Sequence, residues 1–421
     1  MSRRDRTESA KARDVLQFTL VGLVIFCLSL IAAASFISYK LAAINRPRPS
    51  DFFMVNPDDK SRSVHDGPWG TLVERKIQLE WPVEYLMMDD VSKPPPEVWT
   101  FNGLDAGAVK ALLSQNGLTA EQAAAVCTPN NVREDKSGTV LTPPVDFLLS
   151  LDAATRARLY TALAGQKISR SFDYPFVFPG ATLESIYADR RLNPDDVSLL
   201  KHLVYNNGGV WQLSNYLLLM GRIPTVDRRL IMTRLLTRQP SVLVGLHITP
   251  DTDIDKLASY WGRIPNVRFI DIRPLMEAFK ALPEGGDLPL YYLMPKFARD
   301  RLYTDPLPPQ PGDLAMDCHW TAFNFTSETP DNRFNDPVFN VQYIQKNYYQ
   351  ISAPSQYGDI LLLMNNDEII HSAVFLADDL VFTKNGSGFR NPWIVMRIAD
   401  VLALYPASPP LKPVYIRLKT T

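Results

Sequence analysis

Asp317-Cys318-His319-Trp320-Thr321-Ala322-Phe323-Asn324-Phe325, then Tyr357-Gly358-Asp359-Ile360-Leu361-Leu362-Leu363-Met364, then Ile369-Ile370-His371-Ser372-Ala373-Val374-Phe375-Leu376 are the segments on which the reading of this chain turns. The first is apolar after Asp317 and predicts a short helix with Cys318 in its first turn. A thiol placed there meets the positive end of the helix dipole, which favours the nucleophilic thiolate. Gly358-Asp359 turns the chain into a strand, and Asn365-Asn366-Asp367-Glu368 makes a hairpin turn into the segment carrying His371. A second turn at Ala377-Asp378-Asp379 leads to Leu380-Val381-Phe382-Thr383-Lys384-Asn385-Gly386. A strand over Trp393–Arg397 and a closing helix over Ala399–Leu404 complete the pattern.

A thiol at a helix start followed by an antiparallel meander with a histidine is an order in which Cys and His can meet across the helix–sheet seam. Nucleophilic catalysis needs that meeting, because imidazole takes the thiol proton while a third polar group orients the ring. Thr383 and Asn385 lie two apart on the strand after His371, share one face, and both qualify as that third group. Taken alone, a cysteine is most often a small buried hydrophobe, a strand histidine is a core residue, and Asn-Gly is first a turn signal. It is the combination that points to chemistry. His319 beside Cys318 raises a metal reading with His371, but the spacing is not that of a zinc site. A Cys127–Cys318 disulfide would silence the site. His65, His202 and His247 fall on separate segments and read as structural.

These motifs resemble the signature of the NlpC-type cell-wall peptidases, a papain-like superfamily of exported cysteine hydrolases, whose motifs run roughly Asp-Cys-Ser-Gly, Pro-Gly-Asp-Leu and His-Val-Gly-Ile-Tyr. The resemblance covers residues 312–405. It implies Cys318 as nucleophile, His371 as general base and a polar third member on the next strand, where counting lands near Thr383 and chemistry prefers Asn385. It also implies an amide in a cell-wall peptide, or another acyl group, as substrate. The chain departs from the pattern in the bulky His319-Trp320 pair after the cysteine and in Ala373 where the family has glycine. An indole beside the nucleophile is expected to narrow the groove.

Working outward, Asp305-Pro306-Leu307-Pro308-Pro309-Gln310-Pro311-Gly312 reads as a linker. Residues 105–304 read as a mainly helical middle domain. Asp105 and Asp152 are candidate N-caps, and Thr119 with Gln122 forms a capping box. Within it, strand Ser241–Ile248, helix Asp251–Gly262, strand Val267–Ile272 and helix Pro274–Leu282 suggest a small α/β element. Residues 40–104 are rich in Pro and Asp and read as a stalk. Val15 to Tyr39 carries no charged side chain and is long enough to span a bilayer. Five basic residues precede it (Arg3, Arg4, Arg6, Lys11, Arg13), so residues 1–14 are expected in the cytoplasm and the bulk of the chain exported. Residues 406–421 form a C-terminal tail. The expected fold class is therefore α+β: a transmembrane helix, the helical middle domain with its α/β element, and a C-terminal papain-like helix plus antiparallel sheet.

Composition bounds the rest. The 421 residues carry 44 Lys plus Arg against 45 Asp plus Glu, so there is no polycation to hold nucleic-acid phosphates. Three cysteines supply neither a disulfide framework nor a four-cysteine zinc site. The glycine pairs Gly208-Gly209 and Gly285-Gly286 lack the length and lysine of a phosphate loop, and no cofactor is expected. The expected function is a membrane-anchored, exported cysteine hydrolase acting on an amide or ester through a Cys318 acyl-enzyme. The alternative is a non-catalytic envelope scaffold built on a degenerate hydrolase fold. The expected partners are the bilayer through residues 15–39, a cell-wall peptide or acyl substrate, and a protein of unspecified kind at the middle domain.

Overall fold

The computed structural model describes residues 62–86, 93–178, 180–264, 269–310, 312–405, 407 and 409–419. The expected tail over 1–14, the span over 15–39 and the first part of the stalk lie outside them. No helix among the described residues is long and apolar enough to cross a membrane. The described residues build an α+β structure of antiparallel sheets and short helices, and it corrects the expected architecture beyond that point as well.

The end of the expected stalk is a hairpin. Strands β1 (Arg62–Gly67) and β2 (Gly70–Leu79) pair antiparallel from Arg62–Arg75 to Gly67–Gly70. The turn needs its glycine: Gly70 takes φ +96°, and a Cβ there would stand 2.6 Å from Leu257. Charged residues such as Glu74, Arg75 and Lys76 make this stretch look solvated in isolation, yet Leu72 and Val73 beside them are buried.

Between Trp99 and Leu236 the chain is largely helical around one core. The expected caps form: Ala108 N–H donates to Asp105 at 2.8 Å, Thr119 and Gln122 complete a capping box, and Thr155 N–H donates to Asp152 at 2.7 Å. Two small antiparallel sheets interrupt the helices. One has β3 (Trp99–Asn102), β4 (Val132–Asp135) and β5 (Gly138–Leu141); the other has β6 (Phe176–Phe178), β7 (Tyr205–Asn207) and β8 (Val210–Leu213). In the middle of this core Tyr160 stacks on Phe172 and meets Trp99 and Tyr205 edge to face. The fully buried Arg156 spends its guanidinium on two backbone carbonyls, His202 at 2.8 Å and Leu148 at 2.7 Å.

The expected small α/β element is antiparallel instead, and it belongs to another core. Strand β9 (Gln239–Ile248) pairs with β2 along Gln239–His247 and, on its other edge, with β10 (Gly286–Pro289) along Gly245–Ile248. Of Val267–Ile272, expected as a strand, the described residues Phe269–Ile272 are helical instead, the start of the helix Phe269–Lys280. Ile272, Met276 and Phe279 recur at helical spacing and face the core, so the longer apolar period overrides the short β-branched run. Leu246 and Trp261 from this region share their core with Trp320, Leu376 and Phe382 of the C-terminal region. Tyr260 donates to the Leu376 carbonyl at 2.9 Å, Tyr357 to Leu293 at 3.1 Å and Ser241 to Val395 at 2.9 Å, stitching the two together. The proline-rich linker therefore separates segments that pack as one body.

The C-terminal sheet contains β11 (Tyr348–Ile351), β12 (Ile360–Asn365), β13 (Glu368–Ala377), β14 (Leu380–Lys384), β15 (Trp393–Arg397) and β16 (Lys412–Leu418), ordered β11-β16-β12-β13-β14-β15 with every neighbour antiparallel. Asn366 and Asp378 adopt positive φ at the two hairpin turns, as short Asn and Asp side chains allow. Arg397, at the end of β15, binds the buried Glu74 of β2 and Asp379 of the β13–β14 turn, reaches Asp378 at 3.5 Å and meets His65 Nε2 at 3.2 Å. One guanidinium thus ties the hairpin β1–β2 to the turn between β13 and β14.

Two outcomes follow from these buried charges. Removing one partner of a buried ion pair strands the other, so Arg397→Met is expected to lower unfolding free energy by about 3 kcal/mol in urea titration. Burial raises Glu97 to about 7 from its ordinary 4.5. The folded chain therefore holds that proton where the unfolded chain releases it, and stability falls as pH rises from 4.5 through 7, by about 3 kcal/mol in all. Glu97→Gln should flatten this fall, raising stability at pH 8 and leaving it nearly unchanged at pH 4.

Candidate active site

The helix Cys318–Phe323 starts where the sequence places it. Asp317 accepts the Trp320 N–H at 2.8 Å, which makes Cys318 the first helical residue. Six residues of helix would not hold a thiol in place unaided, and side chains anchor it. Trp320 packs on Phe297 with ring centres 5.2 Å apart and donates to Asn332 at 3.1 Å, while Trp393 Nε1 donates to Thr321 Oγ1 at 3.0 Å. The indole expected to narrow a groove is instead inside the core.

Alternation along β13 and β14 sorts the remaining residues onto two faces. Val374, Leu376 and Phe382 join the core beneath the cysteine helix, whereas Ala373 and Val381 join a second cluster with Met396 and Val401 on the opposite face. By the same alternation Ser372 and Lys384 lie on the helix side, and His371, Thr383 and Asn385 on the other. The bonds agree. His319 Nδ1 is 2.8 Å from Ser372 Oγ, and His371 Nε2 is 2.9 Å from Thr383 Oγ1. The β13–β14 pairing runs only from Val374–Phe382 to Ala377–Leu380, so these residues lie just past its end, where the strands are free of each other. The backbone N–H groups of Ser372, Cys318 and His319 act to favour the Cys318 thiolate.

Of the two candidates for the third member, Thr383 is therefore the one on the imidazole. Asn385 turns its amide Nδ2 to Met396 Sδ at 3.1 Å, and its Oδ1 is buried without a partner. The other ring nitrogen, His371 Nδ1, is buried and also unpartnered, so no hydrogen bond joins it to the thiol. Both groups are neutral. Burial, helped by the Asp317 carboxylate, pushes the Cys318 thiol up to about 12, which outweighs the helix-dipole effect expected from its position. Burial, followed by the nearby His319, pulls His371 down to about 3.

Three neighbours escaped the sequence reading. Ser372 reads as an ordinary strand residue, yet its hydroxyl partners His319. Lys384 is fully buried and gives two of its ammonium hydrogens to the carbonyls of Gly386 at 2.7 Å and Gly388 at 2.8 Å. A lysine closing an otherwise apolar strand was the available signal. Tyr405, just past the helix Ile398–Leu404, lays its ring on His371 with centres 4.5 Å apart and planes 31° from parallel. Nothing local in the sequence ties it to the histidine.

The competing readings were also placed. Cys127 and Cys318 are both free thiols. Among the described residues, the potential metal ligands that converge are His65, Glu74 and Asp378. Arg397 already serves that cluster. Its N–H toward His65 Nε2 requires a lone pair there, so Nδ1 carries the hydrogen and donates to Asp378 at 3.1 Å. Metal binding at Nδ1 would reverse that tautomer, and the donor set does not fit an ion. His202 and His247 hold Leu149 O at 2.7 Å and Asp287 at 2.6 Å, as structural residues do. A cleft of about 730 Å³ lined by Gln115, Arg158, Thr161 and Asn207 opens in the helical part and includes none of the Cys318 neighbours.

No protein-family model, curated protein or solved structure matches this chain.

A pH titration followed by imidazole NMR should find the His371 ring neutral from pH 8 down to about pH 4, where an ordinary histidine would have protonated near 6.5. The unfolded chain takes up this proton as pH drops below 6.5 and the folded chain refuses it. The stability His371 contributes above that value is therefore lost progressively toward pH 3.

Proposed function

We propose that this chain is a cysteine hydrolase acting on an amide or ester, with the NlpC-like order of nucleophile, base and orienting residue. The observation that carries the reading is the division of labour on His371: Nε2 is engaged by Thr383, and Nδ1 is left buried and unpartnered on the ring. That is the disposition a general base needs, one nitrogen fixed and the other free to take a proton. In unliganded sites the thiol-to-ring bond is commonly long, so its absence at rest fits a base that engages on binding.

The step balances with this chain's own groups. Cys318 Sγ attacks the carbonyl carbon as its proton passes to His371 Nδ1. The oxyanion develops near the first N–H groups of the cysteine helix, which point toward negative charge. The imidazolium returns the proton to the leaving amine or alcohol; water, deprotonated by His371, then opens the resulting thioester, the carboxylic acid leaves, and the imidazolium returns its proton to Cys318 Sγ. Thr383 acts as a positioning residue, holding the ring plane. A cell-wall peptide amide and an acyl ester are the substrate classes this chemistry serves.

A second reading is favoured by the neutral, covered state of the pair: a binding protein that keeps the arrangement without the reaction. Turnover separates the two. With a p-nitrophenyl ester as probe, wild type should release p-nitrophenol with a burst. Cys318→Ala should abolish the reaction, and His371→Ala should slow it by about 10²-fold or more. Equal turnover by wild type and Cys318→Ala would sink the hydrolase reading.

A further inference from the structure

The cleft of about 730 Å³ in the helical part has the size of a ligand site, and the hydrolase reading makes no use of it. Three elements wall it. The helix Ala106–Gln115 ends there and turns through Asn116 to Thr119, the helix Ala153–Leu163 supplies Ala157, Arg158, Thr161 and Ala162, and the β7–β8 hairpin supplies Asn206 to Gly208. Gly117 brings the first two together. It takes φ +117°, and a Cβ there would stand 3.2 Å from Arg158 Cβ, so the turn lies directly on the arginine stem.

The lining is dominated by groups that both donate and accept. Asn116 gives Nδ2 to the Leu112 carbonyl at 2.8 Å and keeps Oδ1 to offer; Asn206 accepts the Gly209 N–H at 2.9 Å and keeps Nδ2. Each amide is held at one end, so little ordering cost attends its use by a ligand. The exposed Gln115 and Thr161 side chains make no hydrogen bond among the described residues. Arg158 is the one charged residue in the lining, which contains no carboxylate. It gives one N–H to Thr155 Oγ1 at 3.3 Å and is otherwise exposed.

These features select among ligands. One cation is too little for a nucleic-acid backbone. The apolar lining is Leu118, which is buried, with Ala157 and Ala162, so nothing receives the large side chains that anchor a peptide. Sugar hydroxyls both donate and accept, as the lining groups do. An aromatic platform stands beside them: Trp211 is 37% exposed and lies directly across from Asn206 in the β7–β8 register, so indole and amide share a face. We propose that this cleft is a saccharide site that takes a chain carrying a carboxylate. Arg158 pairs with the carboxylate, Gln115, Asn116, Asn206 and Thr161 bond the hydroxyls, and Trp211 stacks on a ring at the rim. The proposal involves no covalent step and stands whether or not Cys318 is a nucleophile.

The experiment is isothermal titration of the full chain with a galacturonate pentamer, a hyaluronan hexamer and neutral maltopentaose. At least one acidic oligomer should bind about fivefold or more tighter than maltopentaose. Arg158→Gln should erase that preference, and Gln115→Ala and Trp211→Ala should each weaken binding by about fivefold. All three positions are exposed, so the variants should melt as wild type does. Absence of binding by both acidic oligomers at millimolar concentration would overturn the proposal, as would maltopentaose binding as tightly as they do. So would binding that the three substitutions leave intact. A tetraglutamate peptide that binds tighter than either oligomer, and loses affinity in the same variants, would overturn it in favour of an acidic peptide.

Discussion

Arg397 is the point on which the rest of this structure depends. It ends β15, neutralises Glu74 on a strand more than 300 residues earlier, and fixes Asp378 and Asp379 in the turn between β13 and β14. That turn sets the register of the two strands, and the register decides that Thr383 rather than Asn385 reaches His371. Arg397 is also the residue before the helix Ile398–Leu404, just past which Tyr405 lies. A single cation therefore couples the closure of the two sheets to the alignment of the candidate base and to the position of the ring that covers it. Ion pairs at this depth contribute little net stability, but losing one partner is expensive, which makes the arrangement a strong constraint on geometry.

The site itself is governed by a contest between burial and dipole. A thiol at a helix start is ordinarily favoured as thiolate, and three backbone N–H groups at Cys318 act in that sense. Desolvation wins, holding both thiol and imidazole neutral.

How much of this was legible in the chain follows from the range of each interaction. The helix caps Asp105, Thr119, Asp152 and Asp317 are local, and each was readable from its own sequence. So were the C-terminal turns at Asn366 and Asp378, and the pairing of a thiol-bearing helix with a histidine strand. What was lost is non-local. The partner of β2 lies in β9, some 170 residues on, so Gly70–Leu79 reads as a charged stalk until that strand is present. Val267–Ile272 reads as a strand because its helical repeat is completed only by Met276 and Phe279. Thr383 and Asn385 share a face, and only a strand break past Val374–Phe382 chooses between them. Tyr405 has no motif at all; its relation to His371 exists only in the folded chain.

The most direct test of the account is to look for the acyl-enzyme. Wild-type chain mixed with a p-nitrophenyl ester and quenched in acid should carry one acyl group, mapped by peptide mass spectrometry to Cys318. An unmodified Cys318 in chain that is turning the ester over, or an acyl group found on Cys127 instead, would contradict it.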